Sequence, residues 1–477
     1  MKHLNSIFML ILLIFFGGIM TAQEEKKDEK TKELTVSAEV RARTEYVHGI
    51  KSPVPEFLIQ DNYKTTPSLF TSQRTSLNFD YKADRVKFGA QFRDVRNWGD
   101  DKQLTANEAS SLSVHQAWAE VFFTKEISLK AGRMELSYDD QRILGAVNWT
   151  QQARSHDLAL FKYEGALKVH LGIAYHGGPF AGADAYKAMQ FLWINGKEGD
   201  FGYSLLALNN GKTENGIWAD FTDPLAPIFT GVTESNAYSQ IAGGRFTYKV
   251  GALSLALNAY YQAGKKAANW VDPKSLPSGV TAADFNLAEK AGQGQKISAY
   301  NFALDAMYKV SDNFKAGLGF EMLSGNDLTD GNRTDENAFA PLYGTNHKFN
   351  GWMDYFYVGN HGSSVGLQDI NLKIIYNNGP FFVKLIPHYF MPAGKGTYID
   401  MDGNQQNLGA LGTEIDVWAG YHIVPKVASI QIGYSQMLAT ESMYGLKGVG
   451  ISTDNGTGTN NWAWIMLDLK PKFLFKK

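Results

Sequence analysis

From one end of the chain to the other, apolar and polar residues alternate with a period of two. Val36, Ala38, Val40 and Ala42 alternate with Ser37, Glu39, Arg41 and Arg43. Thr75, Leu77, Phe79 and Tyr81 alternate with Arg74, Ser76, Asn78 and Asp80, and the pattern returns at Leu253–Tyr260, Phe314–Met322 and Glu414–Tyr421. Successive side chains of an extended strand point to opposite faces, so each segment is a strand with one apolar and one polar face. About eighteen such segments are present, each near the roughly 9–11 residues a tilted strand needs to cross a bilayer. They span residues 34–48, 70–82, 84–97, 112–124, 126–138, 157–165, 167–177, 187–197, 200–210, 238–249, 251–263, 296–310, 312–324, 367–378, 380–391, 412–423, 426–439 and 461–475.

The connections alternate as well. Lys82-Ala83-Asp84, Thr124-Lys125-Glu126, Val250-Gly251, Ser311-Asp312, Asn377-Asn378-Gly379 and Val424-Pro425-Lys426 are hairpin turns. Between them lie loops over 49–69, 98–111, 139–156, 211–237, 264–295, 325–366, 392–411 and 440–460, with a connection of middling length near 178–186. Short turns at one end and long loops at the other are the plan of an outer-membrane barrel. The expected fold is therefore all-β: a transmembrane antiparallel barrel of about 18 strands with short periplasmic turns and long extracellular loops. A propeller would repeat a blade motif at fixed period, and no such repeat is seen. A sandwich would not segregate its loops in this way.

Composition narrows the field further. With no cysteine in 477 residues, a disulfide scaffold, a thiol enzyme and a Cys-ligated zinc site are excluded. A net charge of −2 offers nucleic acid no overall attraction. Lys2 and His3 precede an apolar run from Ile7 to Phe16, and Thr21-Ala22-Gln23 offers a cleavage point after Ala22. This is the pattern of a secretory signal. Residues 1–22 are thus expected to be a signal peptide, 23–33 a polar periplasmic leader, and 34–477 a single barrel in a bacterial outer membrane, in contact with its lipid.

The charges assign the faces. A Lys or Arg at the lipid midplane costs roughly 2–4 kcal/mol, so the face carrying Glu39, Arg41, Arg43 and Glu45 must line the lumen. The same reasoning sends Arg74, Asp80, Arg93, Glu120, Lys168, Arg245, Asp305, Lys315, Glu321, Asp369, Lys373, Lys384, Glu414 and Asp416 inward. One strand resists. If Ile127, Leu129 and Ala131 face lipid, so do Arg133 and Glu135, unless Gly132 marks a bulge that turns them inward; the bulge is the favoured alternative to a position above the hydrocarbon. Inward arginines can pair within the wall or leave donors for carboxylate and hydroxyl groups of a solute. Tyr46, Tyr81, Tyr248, Tyr261, Tyr308, Tyr376 and Tyr421 are expected in the interfacial girdles.

Several stretches are more specific than a strand count. Gly132–Asp157 reads GRMELSYDDQRILGAVNWTQQARSHD, preceded by FRDVRNWGD at Phe92–Asp100 and VHQAWAEV at Val114–Val121, and followed by PLYGTNHKFNGWMDYFYVGNH at Pro341–His361. Together these resemble the alginate-export family of outer-membrane proteins, particularly its versions in Bacteroidetes-type bacteria. The resemblance implies an eighteen-stranded monomeric barrel that conducts polysaccharide or smaller solutes, with arginines and acidic residues at its constriction. Arg43, Arg74, Arg93, Arg133, Arg142, Arg154 and Glu120 are the positions that fit such a role. Insertion of such a barrel requires the barrel-assembly machinery.

Other chemistry is weakly signalled. Asp139 and Asp140 are adjacent, so on a strand they would point apart; a clamp of Asp140 with Arg142 in a folded-in loop is expected instead of a catalytic pair, with Arg142 and Arg154 at or near the pore mouth. The acidic stretch Gly325–Glu336 lacks EF-hand spacing and is read as a solvated loop. The histidines show no zincin spacing, and no cofactor, metal or catalytic set is proposed by the sequence. Three classes follow in order: a passive channel for polysaccharide, oligosaccharide or other small solutes, anionic or neutral; a general or ligand-gated porin in which 325–366 is a plug or binding surface; and a barrel enzyme, for which no motif speaks.

Overall fold

The computed structural model describes residues 32–54, 67–100, 111–176, 186–220, 228–268, 270–271, 294–400, 402–449 and 459–476. The expected signal peptide, nearly all of the leader, the middling connection near 178–186 and the tips of several loops lie outside the described residues.

Eighteen antiparallel strands close into one barrel. In chain order they are β1 (Glu33–His48), β2 (Ser68–Ala83), β3 (Val86–Asn97), β4 (Leu112–Phe122), β5 (Ile127–Met134), β6 (His156–Glu164), β7 (Lys168–Tyr175), β8 (Ala188–Glu198) and β9 (Phe201–Asp220). There follow β10 (Ile228–Val250), β11 (Leu253–Lys265), β12 (Lys296–Lys309), β13 (Phe314–Leu323), β14 (Leu367–Asn378), β15 (Phe381–Met391), β16 (Gly412–Val424), β17 (Ala428–Ala439) and β18 (Asn460–Leu469). After Pro471, whose carbonyl accepts from the Ala38 N–H, β18 resumes as Lys472–Lys476. Closure is direct: β1 pairs with β2 and with β18, so Arg41 lies between Arg74 and Asp468. Every expected strand is present.

The faces follow the alternation. Leu77, Phe88, Ile432, Ile465, Phe473 and Phe475 are exposed on the outside, while Glu39, Arg41, Arg43, Arg74, Glu414 and Asp416 are buried inside. Of the tyrosines expected in the girdles, Tyr248, Tyr261, Tyr308, Tyr376 and Tyr421 are exposed on the outer surface. Such a belt of apolar and aromatic residues has only lipid to contact.

Three expectations change. Residues 211–237 are largely not a loop: β9 and β10 continue in register as far as Asp220 and Ile228, with one irregularity at Phe229/Val232. The segment 126–138 leaves the wall after Met134. Most consequentially, the folded-in loop expected around Asp140 and Arg142 takes in all of residues 135–155, and together with most of 324–366 it fills the lumen, while Leu328–Asn332 remain exposed. Met134, Leu136, Leu144, Met353 and Tyr355 are fully buried there with wall residues such as Phe191, Ile241 and Phe390. Eighteen strands enclose more space than their own side chains can fill, and the inserted segments supply the missing core.

Candidate functional site: a constriction made of two inserted segments

The first inserted segment, residues 135–155, enters where the wall is lowest, between the eight-residue β5 and the nine-residue β6. Its irregular backbone turns its carbonyls toward β1–β3, and arginines meet them. Arg41 donates to the Asn148 carbonyl at 2.9 Å, to the Thr150 carbonyl at 2.9 Å and to Gln151 Oε1 at 3.0 Å. Arg43 reaches the Trp149 carbonyl at 2.9 Å. Arg74 donates to the Gln151 carbonyl at 2.6 Å, the Thr150 carbonyl at 2.5 Å and Asn148 Oδ1 at 2.6 Å. Arg93 takes the Gln152 carbonyl at 2.5 Å. A buried carbonyl needs a donor, and the guanidinium offers five in a fixed fork. The cationic wall is thus largely occupied by peptide oxygens.

The second segment, residues 324–366, is held with the opposite polarity. Glu414 and Asp416 are fully buried neighbours on the lumen face of β16. The Met353 N–H donates to Glu414 at 2.7 Å, and the Trp352 N–H donates to Asp416 at 3.2 Å. Gly351 makes this possible: its φ is +81°, and a Cβ there would lie 2.5 Å from Glu414 Oε2. A side chain would collide with the group that holds the turn.

The two segments also bind each other. Leu144 and Tyr343 form a parallel bridge, Gly145 N–H donates to Tyr343 at 2.8 Å, and Thr345 N–H donates to Gln141 at 2.8 Å. Among the described residues, seven of the nine non-glycine residues with positive φ fall in these two segments: Asp139, Gln141, Val147, Ala153, Leu342, Asp354 and Ser363. Such conformations persist only where surroundings over-determine them, and they collect at functional sites. Val147, being β-branched, is the most costly of them.

What remains of the lumen is lined by charge and rings. A hollow of about 40 Å³ lies between Arg142, Lys348, Phe349 and Trp352 of the segments and Asp305, Glu321, Lys373 and His388 of the wall. Arg142 bonds Glu321 and lies 4.0 Å from the Phe349 ring. Lys373 pairs with Asp305. Burial pushes the Lys348 ammonium below its ordinary range, against the pull of Asp140. At the tip of the first segment, Trp149 stacks on His347 at 4.9 Å and meets Trp464 at 5.0 Å, Trp462 at 5.7 Å and Trp418 at 6.2 Å. Arg43 lies over Trp149 and Lys384 over Trp418, each at 4.3 Å.

The residues singled out from the sequence divide accordingly. Arg41, Arg43, Arg74 and Arg93 converge on the inserted backbone, and Glu39 supports Arg74 at 3.5 Å. Glu120 is buried with Ser128 and Lys162. Asp80 shares the inward face of β2 with Arg74 but lies exposed toward the periplasmic turn. Arg142 forms the expected clamp with Asp140 at 3.2 Å, deep in the lumen instead of at the mouth. Arg154 donates to the Gly344 carbonyl at 3.3 Å. Arg133 is a correction. It is exposed on the outer face, paired with Asp157 at 2.8 Å. Pairing of β5 with β4 stays regular through Gly132, so no bulge turns Arg133 inward; the register shift lies one strand away, near His115. Glu135 does turn inward, because the strand has ended, and pairs with His115 at 2.7 Å. Trp149, Trp352, Trp462 and Lys348 escaped sequence reasoning. For Trp462 the signal available was tryptophan at lumen parity, as at Trp418 and Trp464; Trp149, Lys348 and Trp352 lie off the strands, where parity does not apply.

A closed 18-strand barrel with a lipid-facing belt and a charged, loop-narrowed lumen is an outer-membrane β-barrel of the channel type. Within that class, residues 33–180 match the alginate export family, the stretch that contains the arginine strands and the segment they hold. The fold resembles Acinetobacter baumannii OccAB4 (TM-score 0.53, 11% identity, 94% of this chain and 100% of that one). It also resembles Pseudomonas aeruginosa OprD (0.50, 13%, 92% and 94%) and OccK2 (OpdF) in complex with glucuronate (0.50, 11%, 92% and 98%). At these identities the likeness is one of fold. No curated protein matches the chain.

Proposed function

We propose that this barrel is a passive channel for small anionic solutes, sugar acids foremost, and that residues 324–366 act as a plug-like binding surface beside the path. The observation that carries the reading is the column of rings and cations through the lumen: Trp149 against Trp418 and Trp464, with Arg43 and Lys384 each 4.3 Å from a ring. Aromatic faces accept the C–H faces of a sugar, and the Lys384 ammonium takes its carboxylate, Arg43 being held by Glu45 and the Trp149 carbonyl. Rings of charge and constriction size select what passes. The glucuronate complex of OccK2 supports the same solute class on a similar fold. The two inserted segments speak for monomers or short oligomers over an extended polymer, since the space between them is small.

The test is single-channel recording in planar bilayers. The barrel conducts, and glucuronate or short oligo-uronates interrupt the current at concentrations where glucose does not. A barrel without conductance, or one that glucose and glucuronate block equally, would sink the proposal.

A further inference from the structure

On the extracellular side of the constriction, a second cavity of about 180 Å³ opens between the wall strands β9–β12 and residues 336–342 and 362–363 of the second segment. Its composition differs from that of the lumen column. The apolar surface is aliphatic throughout: Ala237, Ile297, Ala338, Ala340 and Leu342 line it, with no ring among them. Beside this floor stand Lys212 and the ion pair of Lys266 with Glu336. Lys266 is fixed by Glu336 at 2.8 Å and by Ser363 at 2.6 Å, so that carboxylate is already engaged. Two buried amides complete the lining. Gln262 Oε1 accepts the Ala340 N–H at 3.0 Å and Asn210 Oδ1 accepts the Tyr343 hydroxyl at 2.5 Å. With both oxygens taken, the amides have N–H donors left for the cavity.

We infer that this vestibule cavity binds a short-chain aliphatic carboxylate, its hydrocarbon on the Ala237–Ile297–Leu342 floor and its carboxylate toward Lys212 and the Gln262 and Asn210 amides. A pocket of this type binds by burying apolar surface and orients its ligand through a few placed polar groups. A neutral alcohol lacks the partner for the lysine. Acetate lacks the chain for the floor. A sugar acid brings hydroxyls that an aliphatic floor leaves without hydrogen bonds. The ligand class therefore differs from that proposed for the lumen, and the site stands independently of what the lumen conducts.

The experiment uses the full chain in detergent and measures binding by saturation-transfer NMR, which needs no conduction. Hexanoate binds one per chain, at least tenfold tighter than acetate, hexanol or glucuronate in the same cavity. Lys212→Gln weakens hexanoate at least fivefold, while Lys125→Gln, in a periplasmic turn, leaves it unchanged. Absence of hexanoate binding, equal binding of hexanol, or indifference to Lys212→Gln would overturn the inference. A protein that binds hexanoate in this way but does not conduct sugar acids loses only the channel reading.

Discussion

Arg74 and Thr150 lie 76 residues apart in the chain, and across the lumen the Arg74 guanidinium donates to the Thr150 carbonyl at 2.5 Å. The same side chain also holds the Gln151 carbonyl and Asn148 Oδ1. Hydrogen bonds to a charged group contribute roughly 1.5–3 kcal/mol each, and a carbonyl left buried without a donor costs about 1–3 kcal/mol. Arg74→Ala therefore releases the tip of the first segment from the wall. Single-channel conductance is expected to rise about twofold or more with added current noise, and protease should cut within residues 135–155. Arg74→Lys should restore little, because an ammonium cannot serve three acceptors in the plane of the fork. Conductance identical to the parent in both variants would show that the arginine does not hold the segment.

Gly351 carries the second test. Its φ of +81° and the position of Glu414 Oε2 leave no room for a methyl group. Gly351→Ala should pull Trp352 and Met353 off Glu414 and Asp416, at a cost of about 1–3 kcal/mol of local strain. Gly331 is the control, since a Cβ there meets nothing within 4 Å. Faster proteolysis within residues 324–366 in Gly351→Ala, and not in Gly331→Ala, is the expected outcome.

The wall was legible because lipid writes a period of two into it. Each strand that crosses the membrane must keep one face apolar, and Leu77 or Ile465 reveals its orientation by parity alone. Where that demand ends, so does the signal. The upper part of β9, beginning Gly211-Lys212-Thr213-Glu214, shows no alternation, because a strand that rises past the membrane needs no apolar face, and its sequence therefore resembles a loop. The inward turn at Glu135 was hidden for a related reason: parity says which way a strand residue points only while the strand lasts. Alternation turns Arg41, Arg43, Arg74 and Arg93 away from lipid, yet their partners are backbone carbonyls of residues 148–152. A carbonyl is present at every residue, so no sequence pattern could have marked these five.

Trp149 should govern the width and the ligand contacts of the column. Trp149→Ala removes a ring that touches His347, Trp418, Trp462 and Trp464. Aromatic pairs of this kind contribute about 0.5–1.5 kcal/mol beyond area burial. Conductance is expected to rise while glucuronate block weakens by about tenfold; Trp149→Phe should keep most of both. Unchanged block in Trp149→Ala would remove the ring from the solute path.

Acidification should loosen the second segment. His361, at the end of its short helix, donates Nε2 to the Gly366 carbonyl at 3.0 Å and lies against Phe356 at 5.2 Å. Burial, helped by the Lys447 ammonium, pushes its imidazole from 6.5 down to about 4. The folded segment holds the ring neutral while the unfolded one takes up a proton near pH 6.5. Between those two values the unfolded state binds more protons, so stability falls as pH drops through the window. Proteolysis of residues 324–366 should accelerate from pH 6.5 toward pH 4, and His361→Gln should flatten that dependence. A parent protein whose cleavage rate is level across the window would contradict it.

Arg133 and Arg142 separate orientation from mere charge. Both are arginines of one short stretch, and both fit an arginine-lined constriction by sequence. Arg133 is exposed on the outer surface against Asp157, whereas Arg142 is buried in the lumen against Glu321 and Asp140. An exposed ion pair contributes little, about 0–1 kcal/mol, and it faces away from the path of any permeant ion. Arg133→Ala should therefore leave conductance and anion-to-cation selectivity unchanged. Arg142→Ala removes the cation between two carboxylates beside the hollow, which should shift selectivity toward cations by about twofold or more as the lining turns acidic. Reversal potentials under a salt gradient measure both. A selectivity change in Arg133→Ala would mean that this arginine faces the lumen after all, and an unchanged reversal potential in Arg142→Ala would place the ion path elsewhere in the barrel.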